Sequence, residues 1–217
     1  MGADFTKLHP KIQERFGFSS RDRVGSVGRG VMEQLWRGPF YTLPFLYVGA
    51  WRRIMFPERG RNVPFTIENF AFVDSFGRET VTWVRTFTMP AKSRRFDAYM
   101  IYSGERRRIV DYLGTHQHLA VDLDLSVSEA GGLRLSSGEQ RFYEGPIGFR
   151  FPLALSGVAR VHEWYDDSIQ RYRIEVNVAN RRWGPLFGYQ GQFDVEWRTV
   201  AQADFPHVMP KRFERRE

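Results

Sequence analysis

The 217-residue chain contains no cysteine. That excludes disulfides, thiolate metal centres and cysteine nucleophiles together, and it fits a reducing compartment. Lysine is scarce as well, since 28 of the 32 basic residues are arginine. Long apolar runs are missing: the longest, Pro39 to Trp51, is about 13 residues, against the roughly 20 that cross a bilayer, and it is broken by Pro44. Met1 to Lys11 has no basic stretch leading into an apolar one, so no secretory signal is expected and the protein is expected to be soluble and cytoplasmic. There is no strand–helix–strand alternation and no Gly-x-x-x-x-Gly-Lys loop, which argues against a parallel sheet with a nucleotide cradle.

What the chain does have is aromatic mass. Phe, Tyr and Trp make up 16% of it, a load that needs a sizeable core or a cavity. The net charge is +7, with arginines grouped at Arg52-Arg53, Arg94-Arg95, Arg106 to Arg108 and Arg181-Arg182. Arginine forks suit phosphate and carboxylate partners. Here they are scattered rather than laid out as one stripe, so nucleic acid is not the expected partner.

Leu8, Ile12 and Phe16 recur at helical steps, predicting a helix over Pro10–Phe16. Arg23 to Trp36, with Gly25, Gly28 and Gly30, reads as a strand that bends or passes close to another backbone. Pro39 to Phe56 returns to helical spacing through Phe40, Leu43, Tyr47, Trp51 and Ile54. From Val63 onward the pattern is of strands in hairpin succession. His118 to Ser128, Ile169 to Val178 and Phe187 to Val200 alternate cleanly, while Gly145 to Gly157 is irregular. The expected architecture is α+β, mainly β: a strongly curved antiparallel sheet or partial β-barrel of about ten strands. The N-terminal helices pack on or in it, with the aromatic helix as natural filler. One domain is expected over residues 1–200, followed by a basic, flexible tail over 201–217.

Several constellations bear on chemistry. His116 and His118 at i, i+2 could begin a metal site. Asp122 would be their nearest acid on that face, but it is about 13 Å further along a strand, so a solvated strand start is the simpler reading. His162 and Glu163 are adjacent and therefore point to opposite faces. The most informative strand is Val81 to Phe87, where Arg85 shares a face with Trp83 and Phe87. A charge on an apolar face needs a carboxylate or a ligand anion, and Glu163 is the candidate partner. The aromatic helix with Arg52, Arg53, Arg59 and Arg61 behind it suits either core packing or a peripheral membrane contact.

The order of motifs is similar to that of a bacterial family known as domain of unknown function 4166. The matching motifs are Leu8-His9-Pro10, Gly28-Arg29-Gly30-Val31-Met32 with Arg37-Gly38-Pro39, and Asn62-Val63-Pro64-Phe65. Two more follow: Trp83-x-Arg85-x-Phe87, and Gly184-Pro185-Leu186-x-Gly188-Tyr189-x-Gly191. The resemblance spans Leu8 to Val200 and implies an autonomous domain; it brings no established activity. The expected function is non-enzymatic binding of an apolar or lipid-like, acidic small molecule by Arg85, Trp83, Phe87, Glu163, Met32, Tyr47 and Trp51. No cofactor, metal ligand or catalytic residue is assigned. The alternatives are an enzyme using Glu163 or His162 with Arg85, and arginine-mediated surface binding of nucleic acid or anionic membrane.

Overall fold

Strands with one apolar face must take that face out of water, and hairpin-linked strands do so by curling. In the computed structural model, which describes residues 2–152, 154, 156–201 and 205–217, they close on themselves. The first six strands are β1 (Val24–Arg37), β2 (Gly60–Val73), β3 (Glu79–Thr88), β4 (Ser93–Ser103), β5 (Arg108–Leu113) and β6 (Leu119–Val127). Then come β7 (Leu133–Glu144), β8 (Ile147–Phe151), β9 (Val158–Asp166), β10 (Arg171–Asn180) and β11 (Gly184–Thr199). Ten of them form a closed antiparallel barrel, β1 to β7 in chain order and then β9, β10 and β11 back to β1. The β6–β7 pairing and the long β1–β11 seam turn the curved sheet into a full barrel.

β8 lies inside the segment read as irregular. It pairs with Gln140–Glu144 of β7, whereas Leu133–Ser136 of β7 pair with β9. β7 therefore forks, and no ladder joins β8 to β9 among the described residues. The glycines of the β1–β11 seam do bring backbones close. A Cβ on Gly30 would lie 2.0 Å from the Gln192 carbonyl oxygen, and one on Gly191 would lie 2.2 Å from that of Val31. A bulge between Met32 and Gln34 adds a bend there.

Each end of the barrel carries a helix. α1 (Pro10–Phe16) starts with Pro10 in its first turn, and the His9 ring accepts the Lys11 N–H. It caps the end where β1 begins and sends Arg15 inward. α2 (Leu43–Arg52), entered by a 3-10 turn over Phe40–Thr42 and ended by Arg53 at φ 58°, links β1 to β2 across the opposite end. It is shorter than the Pro39–Phe56 span predicted, and it is not the filler. Its buried residues are only Leu46 and Gly49, while Phe40, Tyr41, Phe45, Tyr47 and Trp51 are exposed. The reason is that strand aromatics already fill one half of the barrel. Phe87 packs against Phe56 at 5.1 Å, Phe65 at 5.2 Å and Tyr189 at 5.0 Å, and Phe56 against Phe187 at 4.9 Å. The helix lies over the mouth instead.

The flexible tail expected over 201–217 includes residues 202–204, which lie outside the described residues. From Phe205 onward the chain is a strap against the outer wall. Phe205 and Val208 are buried against Val27, Phe70, Phe72 and Val84. Further on, the Tyr112 hydroxyl donates to the Arg216 carbonyl at 2.9 Å, and Arg78 donates to the Glu214 carbonyl at 2.7 Å. Along β10 the outward residues Arg171, Arg173 and Glu175 are polar. No helix among the described residues is long and apolar enough to cross a membrane.

Candidate functional site

Because aromatics fill the β1, β2 and β11 side, the space left over lies on the other. A cavity of about 380 Å³ is walled by β3 to β10 and roofed by α2, with no lining residue from β1, β2 or β11 among those described. Its wall is mostly Leu, Val, Phe and Met, and it opens under α2 beside the forked end of β7. Of the seven residues expected at a binding site, Arg85, Trp83 and Trp51 line it. Met32 and Phe87 belong to the filled half, and Tyr47 points to solvent on the outer side of α2.

Arg85 is fully inside. Its guanidinium lies 3.9 Å from the Phe96 ring centre, and Nη1 donates to the Tyr189 hydroxyl at 3.2 Å. Its Nε has no partner among the described residues. The pairing expected with Glu163 does not form. Glu163 does face inward from β9, but Arg15 of α1 takes its carboxylate, with Asn69 at 2.9 Å and Ser26 at 3.2 Å completing the guanidinium's bonds. Burial pushes the Glu163 carboxyl up, against the pull of Arg15 and of the more distant Arg85. Glu163 thus belongs to the plug beneath the cavity. His162 is on the outer face, stacked on Trp164 at 4.5 Å with Nε2 3.2 Å from the Ser128 hydroxyl.

Two further liners are Asp111, not singled out from the sequence, and His118, read there with His116 as a metal ligand or a solvated strand start. Asp111 faces inward from β5, and burial pushes its carboxyl up to about 6, with Arg85 and the Tyr99 N–H pulling it down. Its Oδ1 has no partner among the described residues. The available signal was the alternation Ile109, Asp111, Leu113, the same pattern that marked Arg85. His118 lines the mouth. Residues 114–117 form a turn rather than a strand start, with Gln117 at φ 53°, and the two histidine rings stack at 5.2 Å. His118 Nδ1 faces two acceptors, the Glu144 carboxylate at 2.8 Å and the Tyr143 carbonyl at 3.2 Å, so it carries the proton and leaves Nε2 as a free acceptor. That Nε2 is also unpartnered, and burial lowers the ring's basicity. Asp122 is taken by Arg106 at 2.7 Å and by Arg141 at 2.6 Å, and no metal-holding group of three or more ligands occurs among the described residues.

An apolar chamber holding Arg85 Nε, Asp111 Oδ1, His118 Nε2 and Ser156 Oγ without partners among the described residues can satisfy a ligand's polar groups while its wall takes an apolar body.

A family model described as a domain of unknown function (DUF4166) matches residues 8–193. The uncharacterized protein YndH of Bacillus subtilis (strain 168) is 36% identical over 193 residues, covering 88% of this chain and 92% of that protein. No solved structure matches. The chain belongs to the DUF4166 family.

Proposed function

We propose that this family member binds an apolar, lipid-like small molecule with an acidic or hydroxylic head inside the barrel, without chemical conversion. One observation carries the reading: an apolar cavity of about 380 Å³, within the roughly 300–1,000 Å³ of small-molecule sites, has in its wall Arg85 Nε and Asp111 Oδ1, which have no partner among the described residues. Unmade bonds of buried groups are expensive, and a ligand head that accepts from Arg85 and meets Asp111 removes that penalty. The test is native mass spectrometry and solvent extraction of purified protein, followed by titration with a fluorescent fatty acid. Retained amphiphile or saturable binding supports the reading. A folded protein that carries nothing and binds neither fatty acids nor fatty alcohols overturns it.

A second reading, an enzyme, is favoured by His118 alone. A ring with Nδ1 held by Glu144 and Nε2 free is arranged as a general base. Saturable hydrolysis of p-nitrophenyl acyl esters, lost in His118→Ala, would support it. Glu163, engaged by Arg15, and His162, on the outer face, are weaker candidates for that role.

A further inference from the structure

A helix that only packs hides its apolar side chains, and α2 with its entry turn does the opposite. Phe40 is 79% exposed, Val48 62% and Trp51 71%, and Tyr47 stands out beside them. Across the same mouth the β7–β8 hairpin exposes Ile147 and Phe149, the latter in ring contact with the cavity liner Phe142 at 5.3 Å. On the flank, the Tyr41 hydroxyl donates to the carbonyl of exposed Trp183 at 3.0 Å. An apolar rim of this extent around a cavity opening marks a surface that something covers.

The charge around the rim says what covers it. Residues 39–57, 145–152 and 181–193 contain no Asp or Glu, and the acid at the mouth, Glu144, is engaged by His118 at 2.8 Å and Arg212 at 3.2 Å. Arg52, Arg181 and Arg182 form no ion pair among the described residues. Arg52 lies 4.0 Å from the centre of the Trp51 ring, which sets a cation beside an exposed indole. Aromatic side chains with arginines at one level match the headgroup boundary of a bilayer. A second copy of the chain would bring like-charged rims together.

We infer that the mouth end of the barrel, built on α2 and the β7–β8 hairpin, docks onto a lipid surface bearing anionic headgroups, with the cavity opening turned toward the acyl layer. The apolar side chains enter the boundary while Arg52, Arg181 and Arg182 meet phosphates. The docking surface does not depend on the cavity being filled, although it would give an apolar ligand a dry route in and out.

The test is co-sedimentation of the full chain with vesicles of phosphatidylcholine alone and of phosphatidylcholine mixed with phosphatidylglycerol. Binding is expected on the mixed vesicles and should fall as salt rises. Tryptophan emission should shift to the blue and be quenched by lipids brominated in their acyl chains. The double variant F40S/Y47S alters exposed positions outside the cavity lining, so its circular dichroism and melting should match the native protein while partition drops at least tenfold. R181E/R182E, which reverses two charges facing anionic headgroups, should drop it by roughly tenfold or more. Failure of the folded protein to bind mixed vesicles overturns the proposal. So does binding that F40S/Y47S leaves unchanged, or a dimer in sedimentation velocity that this variant dissolves. Ligand content measured on the same preparation keeps this outcome separate from that of the cavity reading.

Discussion

The Arg85 guanidinium donates to the Tyr189 hydroxyl at 3.2 Å, while its Nε, at the wall of the cavity, has no partner among the described residues. Tyr189 orients the group, and the Phe96 face beneath it holds it in place. If Arg85 receives the ligand head, Arg85→Met keeps the volume and removes the donor. A hydrogen bond to a charged group contributes about 1.5–3 kcal/mol, so affinity for a fluorescent fatty acid should fall about tenfold to a hundredfold. Undiminished affinity in a folded Arg85→Met protein would place the head elsewhere.

The C-terminal strap is structural. Phe205 is buried, with its ring stacked on Phe70 at 4.6 Å. Phe205→Ala should lower unfolding free energy by about 3–5 kcal/mol in urea titration. Ligand retention should be unchanged in the folded fraction, because the strap lies outside the barrel wall.

Much of this was legible along the strands and little of it at their ends. Alternation in β10 and β11 gave their inner faces correctly, and Arg85 stood out because Trp83 and Phe87 flank it on one face. Asp111 carries the same signature between Ile109 and Leu113, but β5 is only six residues long and follows an arginine run that blurs its start. α2 is aromatic on every side, and such a helix reads alike whether it plugs a barrel or covers one. Which it does depends on how much space the strand aromatics leave, a quantity no local pattern contains. Arg15 follows Ile12 at a helical step of three, yet its partner Glu163 is 148 residues away in the chain. The strap has no period because it holds largely through backbone carbonyls and isolated anchors such as Phe205.

The Arg15–Glu163 pair should behave as a buried ion pair and nothing more. Arg15→Met strands a buried carboxylate and should destabilise the protein by about 3–5 kcal/mol. Glu163→Gln should lose less, because Arg15 keeps Asn69 and Ser26 and bonds the Gln amide oxygen in place of the carboxylate. The double variant R15M/E163M should recover most of the loss. Fatty-acid affinity should be the same in Glu163→Gln as in the native protein; a large drop would return Glu163 to the site.

Asp111 connects stability, binding and pH. Burial raises its carboxyl from the ordinary 3.8 to about 6, so the folded protein binds this proton more tightly than the open chain does. The raised value therefore lowers stability progressively as pH climbs from about 4 to about 6. Above that the loss is complete, at about 3 kcal/mol. Asp111→Asn removes the titration. In urea titrations it should be more stable than the native protein at pH 8, by up to that amount, with the difference vanishing near pH 4. Ligand affinity supplies the functional half. An ionised Asp111 opposes a carboxylate beside Arg85, so a fatty acid should bind more tightly as pH falls through about 6, whereas a fatty alcohol should show little dependence. In Asp111→Asn the fatty-acid curve should flatten. A native protein whose fatty-acid affinity is already flat across this interval keeps the ligand head away from Asp111.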